Sequence, residues 1–190
     1  MKTIFLSGSK VGSKTLTSMK KVQAIYQQKY PEHETLFLDL KEFNIEFSDG
    51  RNFLDYDGDT GFVTKEIMSA DILFIGSPTF QASIPATLKN IFDLLPQKAF
   101  EDKTVGMVMT AGSDKHYLIG ETQLKPILGY MKANIVPRYV FIKDTDIINK
   151  EIVNDDVSFR MEQLVENTVV LAESYQLIRE KTEEDYGFLI

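Results

Sequence analysis

Cysteine is absent from the 190 residues, and histidine occurs only at His33 and His116. Without cysteine there is no disulfide, thiolate zinc site, iron–sulfur cluster or cysteine nucleophile. Two histidines are too few for a multi-histidine metal centre, so no metal is expected. Positive charge is also in deficit. Lys and Arg number 21 against 28 Asp and Glu, and the net charge of -7 gives a field that repels nucleic-acid phosphates and anionic membrane surfaces. Long apolar runs are missing too: Ile4-Phe5-Leu6 near the start is far short of a signal-peptide core, and no later stretch approaches the ~20 residues of a membrane span. The missing apolar segments lead us to expect a soluble, cytoplasmic protein, and the charge leads us to expect neither nucleic acid nor membrane as partner; the lack of cysteine does not identify a compartment. No repeat, low-complexity tract or linker divides the chain, and 43% hydrophobic residues can fill one core, so a single domain over 1–190 is expected.

What is present is an alternation of short runs of Ile, Val, Leu and Phe with longer amphipathic stretches, the pattern of strand–helix units around a parallel sheet. The strands are expected at Thr3 to Leu6, Thr35 to Leu40, Ile72 to Gly76, Thr104 to Met109 and Ile135 to Ile142. The first, third and fourth are apolar throughout, which predicts central strands covered by helices on both faces. Pro137 cannot donate to a ladder and places the fifth strand at an edge or a bulge. With the second strand as the other edge, the spatial order is 2-1-3-4-5, a flavodoxin-like three-layer α/β sandwich. Helices are expected after Ser13, from Pro85 to Pro96, from Leu118 to Met131 with a kink at Pro126, and after the cap residues Asn154 to Asp156. The connection Lys41 to Asp59 and the tail ending in Phe188-Leu189-Ile190 are left unexplained by this scheme.

In an open parallel sheet, ligands lie beyond the carboxyl ends of the strands where the strand order reverses. Three loops converge there: Ser7-Gly8-Ser9-Lys10-Val11-Gly12-Ser13-Lys14-Thr15, Ser77-Pro78-Thr79-Phe80-Gln81 and Thr110-Ala111-Gly112-Ser113-Asp114. The first joins glycines, hydroxyls and lysines to a helix start, which suits a phosphate; it also reads as a tight turn with Ser13 as N-cap and solvated lysines. Gly8 to Thr15 nearly spells a P-loop, but Ser13 stands at its second glycine, and Asp39 is the sole weak candidate for the magnesium carboxylate of a phosphotransferase. Asp55 to Glu66 places acids at four positions of a calcium loop yet has Thr60 where glycine is needed, so an acidic loop capping the next helix is the competing reading. His116 either touches a ligand or packs, while His33, in a turn after Tyr30-Pro31-Glu32, reads as solvated. Phe80 beside Pro78 offers an apolar wall to a planar ligand or simply joins the core.

Taken together, these loops resemble the NAD(P)H-dependent FMN reductase family. Gly76-Ser77-Pro78-Thr79-Phe80-Gln81-Ala82-Ser83-Ile84-Pro85-Ala86-Thr87-Leu88-Lys89-Asn90 is similar to the family segment G-[ST]-P-x-[YF]-x-x-S-x-[PS]-x-x-L-K-N nearly residue for residue. Ser7 to Thr15 resembles its phosphate loop G-S-x-R-x-x-S, with Lys10 in place of the arginine, Ser13 in that of the serine, and Ser7-Gly8 replacing Gly-Ser. Thr110-Ala111-Gly112-Ser113 resembles the loop that meets the pyrimidine edge of the flavin. The resemblance implies bound FMN, NADH or NADPH as reductant, a small acceptor such as flavin, quinone or azo compound, and a homodimer or tetramer. On this basis Ser7, Ser9, Lys10, Ser13, Lys14, Thr15, Pro78, Thr79, Phe80, Gln81, Thr110, Ala111, Gly112, Ser113 and His116 are the candidate cofactor-binding residues. The flavin carries the chemistry, so no catalytic acid–base pair is expected. A flavodoxin-like electron carrier, with FMN but no nicotinamide oxidation, is the alternative.

Overall fold

A computed structural model describes residues 1–186 of the chain. The apolar tail Phe188-Leu189-Ile190 lies outside the described residues. Strands β1 (Lys2–Ser7), β2 (Glu34–Asp39), β3 (Ile72–Pro78), β4 (Thr104–Ala111), β5 (Asn134–Ile135) and β6 (Val140–Lys143) form one parallel sheet. Its order is β2-β1-β3-β4-β5, with β6 also on β4, as the apolar runs predict. The predicted fifth strand is two short ones. Val136-Pro137-Arg138-Tyr139 interrupts it, β5 pairs with the start of β4 and β6 with its end, because proline cannot supply the ladder hydrogen bond at that point.

Every residue of β3 and β4 is buried, since both faces of the sheet are covered. On one side Leu6, Leu73, Ile75 and Met107 meet α2 (Gly58–Met68), α3 (Ala86–Leu94) and α4 (Lys125–Tyr130) through Val63, Ile67, Leu88, Ile91 and Leu128. On the other Phe5, Phe74 and Val108 meet α1 (Lys14–Lys29) and α5 (Asp155–Tyr186) through Met19, Val22, Val157, Met161 and Leu164. Each fully buried side chain of this size contributes about 1.5–3 kcal/mol of transfer free energy, which binds the two helix layers to the sheet. Asn154 caps α5 by accepting the Asp156 amide at 3.0 Å. Among the described residues no helix is long and apolar enough to cross a membrane.

Three local expectations are corrected. Pro126 does not kink a helix: it sits in the first turn of α4, where its missing N–H leaves no bond unmade, and the irregularity lies upstream in a wider π turn, Gly120–Leu124. His33 is not solvated; its ring stacks on Tyr30 and its Nδ1 lies 2.6 Å from the Tyr26 hydroxyl, which also bonds Thr3. The calcium-like stretch is not a loop, because α2 starts at Gly58 and runs through Glu66, and Asp59 instead accepts the Asn44 amide at 2.7 Å.

The long connection from Lys41 is fastened to the helices. Glu46 N donates to Thr60 Oγ1, Ser48 N to Asn90 Oδ1, and Asn90 Nδ2 to Glu46 O, at 2.9, 3.0 and 2.8 Å. Buried Tyr56 donates its hydroxyl to Asp49 at 2.7 Å, with the Arg51 guanidinium over its ring.

Candidate functional site

The first loop is pinned to β3 by Gly8 N donating to Gly76 O at 2.8 Å, and a Cβ on Gly8 would stand the same 2.8 Å from that carbonyl. Only glycine lets the backbones approach this closely. Ser9, buried, closes a local turn by accepting the Val11 amide and donating to Val11 O. Gly12 then turns the chain with φ +77° into α1. Ser13 stands at the N-cap of α1, yet its hydroxyl makes no capping bond. The first amides of a helix have no intrahelical acceptor, and α1 carries no acidic side chain in its first turn. An uncommitted hydroxyl, open amides and the positive end of a helix dipole thus face one place.

The second loop is joined to the third by Thr79 N donating to Thr110 O at 2.9 Å, and the first to the third by a 2.8 Å bond between the Thr15 and Thr110 hydroxyls. After Thr79 the chain makes a two-residue turn in which Phe80 and Ser83 exchange backbone hydrogen bonds. Gln81 and Ala82 occupy it with φ 50° and 58°, a left-handed pair costing about 1–2 kcal/mol per non-glycine residue. That strain is held where Phe80 is presented, 42% exposed, beside the cleft. The Thr79 Oγ1 is buried without a hydrogen-bond partner among the described residues, as is Ser7 Oγ beneath the first loop. A buried orphan hydroxyl costs about 1–3 kcal/mol unless something absent from the chain bonds it.

A cleft of about 370 Å³ opens between the three loops, lined by Val11, Gly12, Ser13, Lys14, Thr15, Pro78, Thr79, Phe80, Thr110, Ala111, Gly112 and Asp144. Nine of the fifteen candidate residues line it. Ser7 and Ser9 are buried behind the first loop, Lys10 is exposed outside it, and Gln81 is exposed in the strained turn. Ser113 accepts the Lys115 amide, and His116 closes that short turn, so neither lines the cleft. Sequence reasoning missed Asp144. It follows β6, pairs with Lys14 at 2.6 Å and lies 3.6 Å from where a Gly112 Cβ would stand. The carboxyl-end rule applied to the fifth strand as well would have found it. Beside it Lys143 meets Asp114 at 3.3 Å, so two ion pairs tie this fourth loop to α1 and to the third loop. Asp39, the carboxylate that a phosphotransferase would require, accepts the Lys41 amide at its own turn.

The arrangement can hold an anion at one end and a flat apolar group along Pro78 and Phe80. No histidine lines it. Its unpartnered Thr79 hydroxyl and the uncapped Ser13 fit a phosphate-bearing planar ligand such as FMN.

Residues 1–146 match the family model described as NADPH-dependent FMN reductase. An NAD(P)H-dependent FAD/FMN reductase of Geobacillus thermodenitrificans is 39% identical over 86% of this chain and 89% of its own. An FMN reductase (NADPH) of Pseudomonas aeruginosa is 33% identical over 57% of this chain and 59% of its own. Among solved structures, the apo form of an NADH:FMN oxidoreductase superposes with a TM-score of 0.75 at 21% identity, covering 91% of this chain and 89% of that one. RosB superposes equally well, with a TM-score of 0.75 at 18% identity over 93% of this chain and 80% of its own, and both of these likenesses concern the fold.

Proposed function

The chain belongs to the NADPH-dependent FMN reductase family and is an oxidoreductase of that kind, and from this premise we propose that its three-loop cleft holds FMN for NAD(P)H oxidation. In this reading Ser13, Thr15 and the opening amides of α1 take the phosphate. Pro78, Thr79 and Phe80 flank the ring, with Thr79 Oγ1 finding its missing partner there, and the backbone at Ala111 and Gly112 faces the ring's polar edge. When bound, FMN supplies hydride acceptance and donation, and the protein supplies position and electrostatics. Amide donors at the ring edge favour negative charge on the reduced ring, the logic of an oxyanion site. Lys14, already neutralised by Asp144, adds less attraction than a free lysine. The strained turn fixes Phe80 so that the mouth of the cleft admits a flat nicotinamide and, after it, a small acceptor: free flavin, a quinone or an azo compound. Residues 1–190 work as one domain, and a dimeric assembly and a cytoplasmic setting, where reduced nicotinamide is made, belong to the same reading.

The observation that carries this reading is the Ser13 hydroxyl, placed as a cap but bonded to nothing in the helix it begins. Anaerobic stopped-flow mixing of the FMN-loaded protein with NADH and with NADPH is the test. Bleaching of the flavin band at a rate that saturates with nicotinamide is expected. An oxidised flavin that survives both reductants would instead assign the chain to the flavodoxin-like carriers.

A further inference from the structure

A second hollow adjoins the phosphate end of the cleft. It has a volume of about 620 Å³, shares Ser13 with the cleft, and is lined further by Leu16, Thr17, Lys20 and Lys21 of α1 and by Lys150, Glu151 and Ile152. The last three belong to a hairpin of β7 (Ile147–Ile148) and β8 (Glu151–Ile152), whose two-residue turn holds Asn149 and Lys150 at φ 52° and 63°. The turn fixes Lys150 opposite the lysines of α1. None of the three lysines is in an ion pair among the described residues, and Glu151 is the one carboxylate in the lining. Lys20 lies 5.3 Å from the centre of the Phe37 ring.

The three lysines are exposed and joined to no carboxylate among the described residues, so their ammonium groups can meet an anion that enters the hollow. Leu16 and Ile152 give the hollow apolar surface, and Thr17 adds a hydroxyl. Lysines, apolar surface and the hydroxyls of Ser13 and Thr17 in one lining are what a phosphate attached to a flat heterocycle requires. We propose that this hollow is a subsite for the adenosine phosphate portion of a dinucleotide. Its position beyond Ser13 is where FAD would continue past a phosphate held at the start of α1, so the proposal rests on the placement of the FMN phosphate above. The same chemistry has two sources: the second phosphate and adenosine of FAD, and the 2′-phosphorylated adenosine of NADPH.

The test compares the native chain with the double variant Lys21→Glu/Lys150→Glu. Dissociation constants of FMN and FAD are read by flavin fluorescence on flavin-stripped protein, and KM values of NADPH and NADH on FMN-loaded protein. Loss of roughly tenfold for FAD with FMN held within about twofold would assign the hollow to the flavin dinucleotide; charge-assisted contacts of this kind support such a factor. A KM for NADPH raised roughly tenfold, with NADH unmoved, would assign it to the nicotinamide dinucleotide. Unmoved ratios in both pairs, or an FMN loss equal to that of FAD, would overturn the subsite. Should the double variant misfold, Lys150→Ala is read by the same ratios. Failure of FMN to bind the native chain is a different result, which removes the reading of the cleft and this subsite with it.

Discussion

At the scale of the residue, Ser13 separates two roles that a sequence cannot separate. An N-cap serine bonded to its helix contributes about 1 kcal/mol, so its replacement by alanine would lower stability. Here the hydroxyl is not so engaged, and Ser13→Ala is expected to leave the melting temperature unchanged within a degree or two while weakening FMN about tenfold to a hundredfold. Fluorescence titration beside a thermal melt reads both. Lost stability with unchanged affinity would return Ser13 to the capping role. The glycines, hydroxyls and Phe80 of the site were legible because each follows a strand that ends at the switch point. Asp144 follows the fifth strand, an edge strand away from the switch point to which the carboxyl-end rule was applied, and its place in the cleft shows only in the parallel pairing of β6 with β4. Asn90 shows the opposite difficulty: it stands in the segment most similar to the family, yet its amide bonds the backbone of Glu46 and Ser48, a structural task.

At the scale of the element, the connection between β2 and α2 explains itself through the side chains it meets rather than through its own pattern. Its hydrophobic period is neither that of a helix nor that of a strand, and its order comes from Thr60, Asn90 and Tyr56, two of which belong to helices. Such partners lie elsewhere in the chain, which is why the parallel strands, apart from the break in the fifth, and four of the helices could be read in advance, and this segment and the β7–β8 hairpin could not. The Tyr56 hydroxyl first, and Arg51 after it, hold the Asp49 carboxyl down to about 2. An unfolded aspartate titrates near 3.9, so the contribution of this group is complete above that pH and is lost as the pH falls toward 2. Thermal melts from pH 5 to pH 2 are expected to show native protein and Asp49→Asn converging at the acid end. A constant gap across that range would mean that the Tyr56–Asp49 contact does not order the connection.

At the scale of the whole molecule, the sheet with its two helix layers leaves apolar side chains uncovered in the loops beyond the carboxyl ends of the strands, as it does along α5 at Phe159, Val170, Tyr175, Leu177 and Ile178. Val11, Phe80, Tyr117 and Leu118, from the three loops and their sequel, are 62%, 42%, 52% and 59% exposed. Single exposed apolar residues are ordinary, but Val11 and Phe80 line the cleft while Tyr117 and Leu118 follow its third loop, and we propose that a second copy covers this rim. A second copy meeting this rim would shelter the cofactor from water and narrow the mouth to a flat reductant. Tyr117 accepts the Tyr139 hydroxyl through its carbonyl, and burial pushes that phenol up to about 12, so the backbone beneath Leu118 is anchored and can present a fixed contact. Light scattering of the native protein is expected to give about twice 21.7 kDa. Leu118→Asp, which places a charge on the proposed contact without touching the cleft lining, should return the 21.7 kDa particle and keep FMN bound. A native particle of 21.7 kDa would show that the rim is open to solvent, and a dimer indifferent to Leu118→Asp would move the interface to another face.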